Sequence, residues 1–206
     1  MRRIITLKIL LIADLHTCTQ TAKLKTILQN EIYDIICLLG HNTSYDLDNI
    51  INYSKKVPIV GILGNHDNKN LYNEYPNIYN LHNSLKKINS LSFIGFEGCY
   101  KYKENSTSPM YMPEEVEDIM SNYPGTDIFV SHTGPFLPER RWYELSHNGF
   151  TEFNKYISSK KPKYHFFGHF HENFKIQLYD TQCFCIYGVS LFDTEKEILT
   201  PLILEP

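Results

Sequence analysis

Residues 8–16 read KILLIADLH, an apolar run followed at once by an aspartate and a histidine. Short apolar runs of this kind recur along the chain, and each ends at a polar cluster. Their lengths and their content of Ile, Val and Phe are typical of strands buried on both faces. We therefore predict buried strands at residues 9–13, 35–39, 59–63, 92–96, 128–131 and 164–167.

Stretches with helical spacing separate the first three predicted strands. Apolar residues stand at positions 24, 27, 28 and 32 of one stretch and at 47, 50, 51 and 53 of the next. Such alternation implies parallel strands joined by right-handed crossovers. Later, SLKKINSLSFIGFEG (84–98) and NFKIQLYDTQCFCIYGVS (173–190) each resemble two strands joined by a turn, and residues 114–123 resemble a short helix. We predict an α/β fold with a mixed sheet or two facing sheets, in one domain over residues 1–206.

The overall composition excludes some classes of function. The 206 residues carry a formal charge of −3, spread without a long run of one sign. This argues against a protein whose main task is to hold nucleic acid through its phosphates. The five cysteines are an odd number without zinc-type spacing. We interpret them as reduced thiols of a cytoplasmic protein.

The first residues, MRRIITLKILLIADLH, imitate a secretory signal, with two arginines before an apolar stretch. No small-residue cleavage site follows, and Thr6 and Lys8 interrupt the run. We therefore interpret the segment as a first buried strand. No other segment approaches the ~20 apolar residues that span a bilayer, so we expect no membrane partner.

Six of the nine histidines come directly after predicted strands. Binding sites of α/β proteins are built at such strand ends. Each motif alone is weak, although a His-x-His on a strand would direct both imidazoles to one face. Together they make coincidence improbable and indicate a functional site. The motifs are DLH (14–16), GH (40–41), GNHD (64–67), SHTGP (131–135) and GHFH (168–171).

This series resembles the calcineurin-like metallophosphoesterases. Their pattern is Asp-x-His, Gly-Asp, Gly-Asn-His-(Asp/Glu), a strand-terminal His and Gly-His-x-His, and the resemblance here covers residues 8 to about 190. It implies two packed mixed β-sheets flanked by helices, an α/β/β/α sandwich. It also implies a divalent transition-metal cofactor, with two ions expected. Mixed nitrogen and oxygen ligands favour Mn²⁺, with Fe, Ni²⁺ or Zn²⁺ as alternatives.

The resemblance also assigns roles to individual residues. It places Asp14, His16, His169 and His171 on one side of the metal centre, and Asn65 and His132 mainly on the other. His66 would contact the phosphate and protonate the leaving oxygen, with Asn65 beside it. Asp67 would orient His66, although a capping or turn role for Asp67 is also open.

His41 stands where the family has its bridging aspartate. A carboxylate can bind two ions at once, whereas an imidazole nitrogen offers one lone pair to one ion. His41 should therefore bind one ion or turn away, and the centre could hold one ion here. Three interpretations are open: a natural variant centre, a member that binds without catalysing, and a substitution introduced to inactivate the enzyme.

The resemblance implies hydrolysis of phosphodiester bonds in a small or nucleotide-like substrate, by attack of a metal-bound hydroxide. A nuclease acting on single strands and a non-catalytic binding module are the alternatives. Arg140, Arg141 and His147 are candidate substrate-binding residues, and a solvated loop is the open alternative for the two arginines. The loop YKYKENSTSPMYMP (100–113) is either a surface excursion or a lid, and its tyrosines could stack on a base or aryl group. The sequence leaves the oligomeric state open.

Overall fold

The computed structural model describes residues 7–104, 106–140, 145–204 and 206, and of Leu145 only the backbone. Four α-helices lie in this part of the chain: α1 (Thr21–Asn30), α2 (Ser44–Tyr53), α3 (Pro113–Met120) and α4 (Thr151–Lys160). The strands are β1 (Lys8–Ala13), β2 (Ile35–Leu38), β3 (Ile59–Gly61), β4 (Ile78–Asn80), β5 (Lys86–Ile88), β6 (Leu91–Phe96), β7 (Cys99–Tyr100), β8 (Met110–Tyr111), β9 (Ile128–Ser131), β10 (Tyr164–Phe167), β11 (Phe174–Leu178), β12 (Thr181–Cys185), β13 (Gly188–Asp193) and β14 (Ile198–Ile203). Short 3-10 helices lie at Leu71–Glu74, Pro138–Arg140 and Leu145–His147.

The strands form two six-stranded mixed sheets and one small ribbon. The first sheet has the order β14-β13-β1-β2-β3-β4, the second β11-β12-β10-β9-β6-β5, and β7 pairs with β8. The parallel pairing of β1, β2 and β3 is confirmed, as are the antiparallel hairpins β5–β6 and β11–β12. The structure adds β4, β13 and β14, and it places the β7–β8 ribbon where the sequence predicted a loop. Pro201 is tolerated in β14 because that strand lies at the edge of its sheet.

The two sheets face each other across a continuous apolar core. Along β1, Ile9, Leu11 and Ala13 belong to the core layer between the sheets. Leu10 and Ile12 belong instead to the layer under α1 and α2, and all five side chains are 0% exposed. Burial of both faces explains why this strand is apolar without interruption.

Helices cover the outer faces of both sheets. Helices α1 and α2 pack on the first sheet, whereas α3 and α4 pack on the second. The layer order is therefore α/β/β/α, as predicted. All five cysteines are buried free thiols. Among the described helices, none has the length and apolar content needed to cross a bilayer.

The two sheets bring five motif-bearing loops to one end of the sandwich. These loops follow β1, β2, β3, β9 and β10. The backbone N–H of Asp14 donates to the Gly40 carbonyl oxygen over 3.1 Å, and Gly168 donates to the His132 carbonyl oxygen over 2.9 Å. The backbone N–H of His169 reaches Oδ2 of Asp14 over 2.7 Å, so the contacts link the two sheets.

Candidate metal centre

Four side chains converge beyond the ends of β1, β2 and β10. Asp14, His16, His41 and His171 each offer a ligand atom, and these atoms all lie within 4.8 Å of one another. Nε2 of His16 lies 3.1 Å from Nε2 of His171, and Nδ1 of His41 lies 3.2 Å from Oδ1 of Asp14. The donor set of imidazoles and one carboxylate suits a divalent transition metal.

Asp14 is the carboxylate of this group, and it is fully buried. Burial raises the pKa of its carboxyl to about 6, although the backbone N–H of His169 opposes the shift by donating to Oδ2. A buried carboxylate is costly without a compensating charge. A cation held between Asp14 and the neighbouring imidazoles would supply that charge.

His132 and Asn65 form a second buried pair. Nδ1 of His132 lies 2.8 Å from the carbonyl oxygen of Leu39, which can only accept, so this nitrogen carries the hydrogen. Burial holds the pKa of His132 well below its usual range, and the ring is neutral. Its Nε2 lone pair then faces Oδ1 of Asn65, another acceptor, at 2.9 Å. Two acceptors this close repel each other unless a cation lies near both, so the pair fits a metal ligand set.

His169 lies beside this second pair. Its ring centroid is 4.9 Å from that of His132, and its Nε2 donates to the Ser146 carbonyl oxygen over 2.6 Å, which leaves the Nδ1 lone pair available to a cation. Histidine ligands commonly donate their second ring nitrogen to such a carbonyl. The ring thus lies with His132, whereas the sequence interpretation grouped it with Asp14 and His171.

The His-x-His motif is not part of a strand. β10 ends at Phe167, and the two histidines that follow have positive φ angles of 71° at His169 and 51° at His171. The loop therefore turns sharply between them. This turn lets one histidine approach each ligand group, which the alternation of a strand would not allow.

His41 lies between the two groups. Its ring centroid is 4.0 Å from that of His16 and 5.5 Å from that of His132, and the ring stacks on His66 at 4.6 Å. Burial, reinforced by the charge of His66, lowers the pKa of His41 to about 3. A neutral imidazole at this junction can offer a lone pair to one ion.

Asp67 joins the loop that carries His41 to the loop that carries Asn65. Its Oδ2 accepts the backbone N–H of His41 over 2.9 Å and that of Gly64 over 2.7 Å. These contacts support the turn role that the sequence left open for Asp67. The approach also requires glycine, because a Cβ on Gly64 would lie 2.5 Å from the backbone nitrogen of His41.

Strained backbone is concentrated in the same loops. Non-glycine residues with positive φ are uncommon, and Asp and His are among the residues that tolerate it. Five of the proposed ligands have φ between 49° and 71°, so the backbone is bent to direct their side chains inward. They are Asp14, His16, His41, His169 and His171.

An open cavity of about 470 Å³ lies directly beside the first ligand group. His16, His41 and His66 contribute to its lining. His66 is exposed to solvent. The pKa of its imidazole is lowered, mainly by partial desolvation and to a smaller extent by the positive charge of Lys103. A histidine here can meet a substrate bound over the ligand groups.

The sequence model of the family described as calcineurin-like phosphoesterase matches residues 7–173. The chain belongs to this family. The family uses divalent metals, and the group around Asp14 could hold one. A comparison with curated proteins gives no match.

Solved structures of this fold agree with the assignment. The protein TT1561 of Thermus thermophilus gives a TM-score of 0.70 at 16% identity, with 95% of this chain and 97% of that chain covered. Phosphopantetheinyl hydrolase of Mycobacterium tuberculosis gives a TM-score of 0.61 at 13% identity, with 88% of this chain and 89% of that chain covered. A structure described as a novel archaeal phosphodiesterase gives a TM-score of 0.55 at 15% identity, with 93% of this chain and 96% of that chain covered. Identities this low show a shared fold.

The candidate substrate-binding residues lie in different surroundings within this phosphoesterase fold. Nη1 of Arg140 pairs with Oε2 of Glu172 at 2.5 Å, and the guanidinium lies 3.9 Å from the Phe174 ring centroid. Its charge is therefore already engaged. His147 stacks on His169 with a centroid distance of 4.8 Å, next to the second ligand group. Arg141 lies outside the described residues.

Asp46 was not singled out in the sequence, although it shapes the loop next to the first ligand group. It is fully buried at the start of α2, where it forms a capping box with Thr43. Its carboxylate also accepts the backbone N–H groups of Thr17 and Cys18 over 3.0 and 2.9 Å. It thus fixes the loop after His16. The Thr-x-x-Asp spacing at 43–46 was the available signal.

Proposed function

We propose that the chain is a metal-dependent phosphodiesterase that acts on a small or nucleotide-like substrate. The observation that carries this proposal is the pair of ligand groups that meet at His41, with His66 beside an open cavity. We further propose manganese as the metal and the cytoplasm as the location, since the cysteines are free thiols.

The proposed ligands divide into two sets. Bound divalent ions would polarise the phosphoryl group and make water a nucleophile near neutral pH. The first set orients ligand atoms around the Asp14 carboxylate, and the second presents lone pairs from buried side chains whose other polar atoms are already hydrogen-bonded. The first set is Asp14, His16, His41 and His171, and the second is Asn65, His132 and His169.

His66 is the proposed general acid. Its stacking on His41 holds the ring at the edge of the ligand groups, while its exposure lets it meet a leaving group. The pKa of His66 is lowered in the substrate-free protein, and the negative charge of a bound phosphoryl group would raise it toward the neutral range in which a histidine donates a proton.

A comparison of two aryl substrates tests the diesterase assignment. With added Mn²⁺, bis(p-nitrophenyl) phosphate should be hydrolysed with a higher kcat/KM than p-nitrophenyl phosphate, and His66→Gln should lower both rates. Lys87→Gln is the control, because Lys87 is exposed on the edge strand β5. A higher kcat/KM for the monoester would contradict the diesterase assignment and leave a monoesterase.

The alternatives predict different results. A nuclease would need a basic channel, yet Arg140 pairs with Glu172 and Lys155 pairs with Glu117. Nucleic acid is therefore the less favoured substrate. Salt-sensitive binding of single-stranded nucleic acid would support the nuclease hypothesis instead. A non-catalytic binding module predicts ligand capture without turnover under Mn²⁺, Fe²⁺, Ni²⁺ and Zn²⁺ alike.

A further inference from the structure

The segment after β7 places two polar side chains next to the metal centre. Its base is fixed, because β7 pairs with β8 and the backbone N–H of Lys101 donates to the Tyr111 carbonyl oxygen over 2.9 Å. The hydroxyl of Tyr111 donates in turn to Oε1 of Glu97 over 2.7 Å, and Glu97 is 7% exposed. Tyr102 follows this anchored point directly.

Tyr102 reaches Asn65 from the solvent side. Nδ2 of Asn65 donates to the Tyr102 hydroxyl over 3.4 Å, while Oδ1 of the same amide faces His132. Because the hydroxyl oxygen accepts here, its hydrogen can be directed to a further acceptor. The side chain is 37% exposed, so that acceptor can be a ligand from solution.

The neighbouring tyrosines of this loop are engaged elsewhere. Tyr100 stacks on Phe150 at a centroid distance of 6.0 Å, and Tyr111 hydrogen-bonds Glu97. Among the three tyrosines of this segment, Tyr102 is therefore the one whose hydroxyl contacts a proposed metal ligand.

Lys103 adds a positive charge at the same place. Its Nζ lies 5.2 Å from the Tyr102 ring centroid. The cavity beside His66 is lined without any lysine or arginine among the described residues. A substrate phosphoryl group carries negative charge, so the ammonium beside Tyr102 is complementary to it.

We propose that Tyr102 and Lys103 bind the phosphoryl group of the substrate. The Tyr102 hydroxyl donates to a phosphoryl oxygen held near Asn65, and the Lys103 ammonium beside the Tyr102 ring balances the charge of that phosphoryl group. This inference rests on the proposed function, since it names further residues that bind the substrate at the same site.

Binding of inorganic phosphate to the Mn²⁺-loaded protein tests this inference without requiring turnover. Isothermal titration should show that Tyr102→Phe and Lys103→Gln each weaken phosphate binding about tenfold, the scale of one hydrogen bond to a charged group. The Lys103→Gln effect should shrink as salt is raised, because the ammonium is exposed. Metal content should be unchanged in both variants.

Two matched variants control for non-specific effects. Tyr179→Phe changes an exposed tyrosine in the turn between β11 and β12, and Lys87→Gln changes an exposed lysine of β5. Both should bind phosphate within about twofold of the parent protein, as expected for surface substitutions.

The outcomes separate this inference from the proposed function. Unchanged phosphate affinity in Tyr102→Phe and Lys103→Gln, or no phosphate binding by the parent protein, would overturn the inference even if diesters are hydrolysed. Phosphate binding that depends on both residues, without hydrolysis of any diester, would support the inference and contradict the proposed function.

Discussion

Nδ1 of His41 lies 3.2 Å from Oδ1 of Asp14 at the junction of the two ligand groups. Asp14 is the sole carboxylate among the proposed ligands; the others are imidazoles and the Asn65 amide. With an aspartate at position 41, the centre would carry one more negative charge. The histidine should therefore weaken the binding of two divalent ions, and the metal-loaded centre should be more positive toward a phosphate.

Affinity for Mn²⁺ should fall in acid because of Asp14. In the metal-free protein, burial raises the pKa of this carboxyl to about 6, whereas the pKa values of His41 and His169 are lowered to about 3. Protons then compete with the metal mainly at Asp14 as pH falls below 6. We expect a loss of about tenfold in affinity per pH unit there, measured by titration calorimetry. Affinity that is flat from pH 7 to pH 5 would contradict a ligand role for Asp14.

Asn65→Ala should separate the metal-loaded from the metal-free protein. The substitution removes the oxygen that faces Nε2 of His132, so the metal-free protein should lose little stability. The loaded protein should bind fewer ions and gain less thermal stability from Mn²⁺. Asn122→Ala, on the exposed turn after α3, is the control. An equal gain in Tm from Mn²⁺ in both variants would exclude Asn65 as a ligand.

Asp67 should make the metal-free protein less stable as pH rises. Burial raises the pKa of Asp67 from 3.8 to about 7, so between these values the folded state binds more protons than the unfolded state. Its contribution is complete below pH 4 and is lost as pH rises through 7. Between pH 5 and 8 the parent protein should lose on the order of 2 kcal/mol in its free energy of unfolding through Asp67. Urea unfolding should show that Asp67→Asn lacks this loss. Parallel pH profiles for parent and variant would refute this.

Gly64→Ala should disrupt the contact between the two loops. The new Cβ would lie 2.5 Å from the backbone nitrogen of His41, and backbone cannot move aside cheaply. We expect a loss of more than about 2 kcal/mol in unfolding free energy, together with weaker metal binding. Gly125→Ala is the matched control, since nothing lies within 4 Å of its Cβ position. Equal stability of the two variants would contradict the packing described for this loop.

The sequence predicted the fold well where burial determines which positions are apolar. β1 is apolar throughout because both of its faces are covered, and α3 begins at Pro113, whose fixed φ suits a first turn. β4 has only three residues and β14 contains Pro201, so neither leaves a clear strand pattern.

The sequence predicted a set of candidate ligands but not their arrangement. Motif order indicated the candidate ligands, whereas the positive φ angles that direct His169 and His171 apart depend on the folded loops. The contact of Tyr102 with Asn65 joins residues far apart in sequence, and no local pattern predicts such a contact. Arg140 has a phosphate-binding chemistry, yet its ion pair with Glu172 is visible only in the structure.

The central claim is that Asp14, His41 and His171 belong to a working metal centre for phosphodiester hydrolysis. The most direct test is hydrolysis of bis(p-nitrophenyl) phosphate across a Mn²⁺ titration, with bound metal counted, for the parent chain, His41→Asp and His171→Ala. We predict metal-dependent turnover by the parent, faster turnover with tighter binding of a second ion in His41→Asp, and loss of turnover in His171→Ala. The account would be contradicted if neither the parent nor His41→Asp hydrolysed the diester, although His41→Asp had two ions bound.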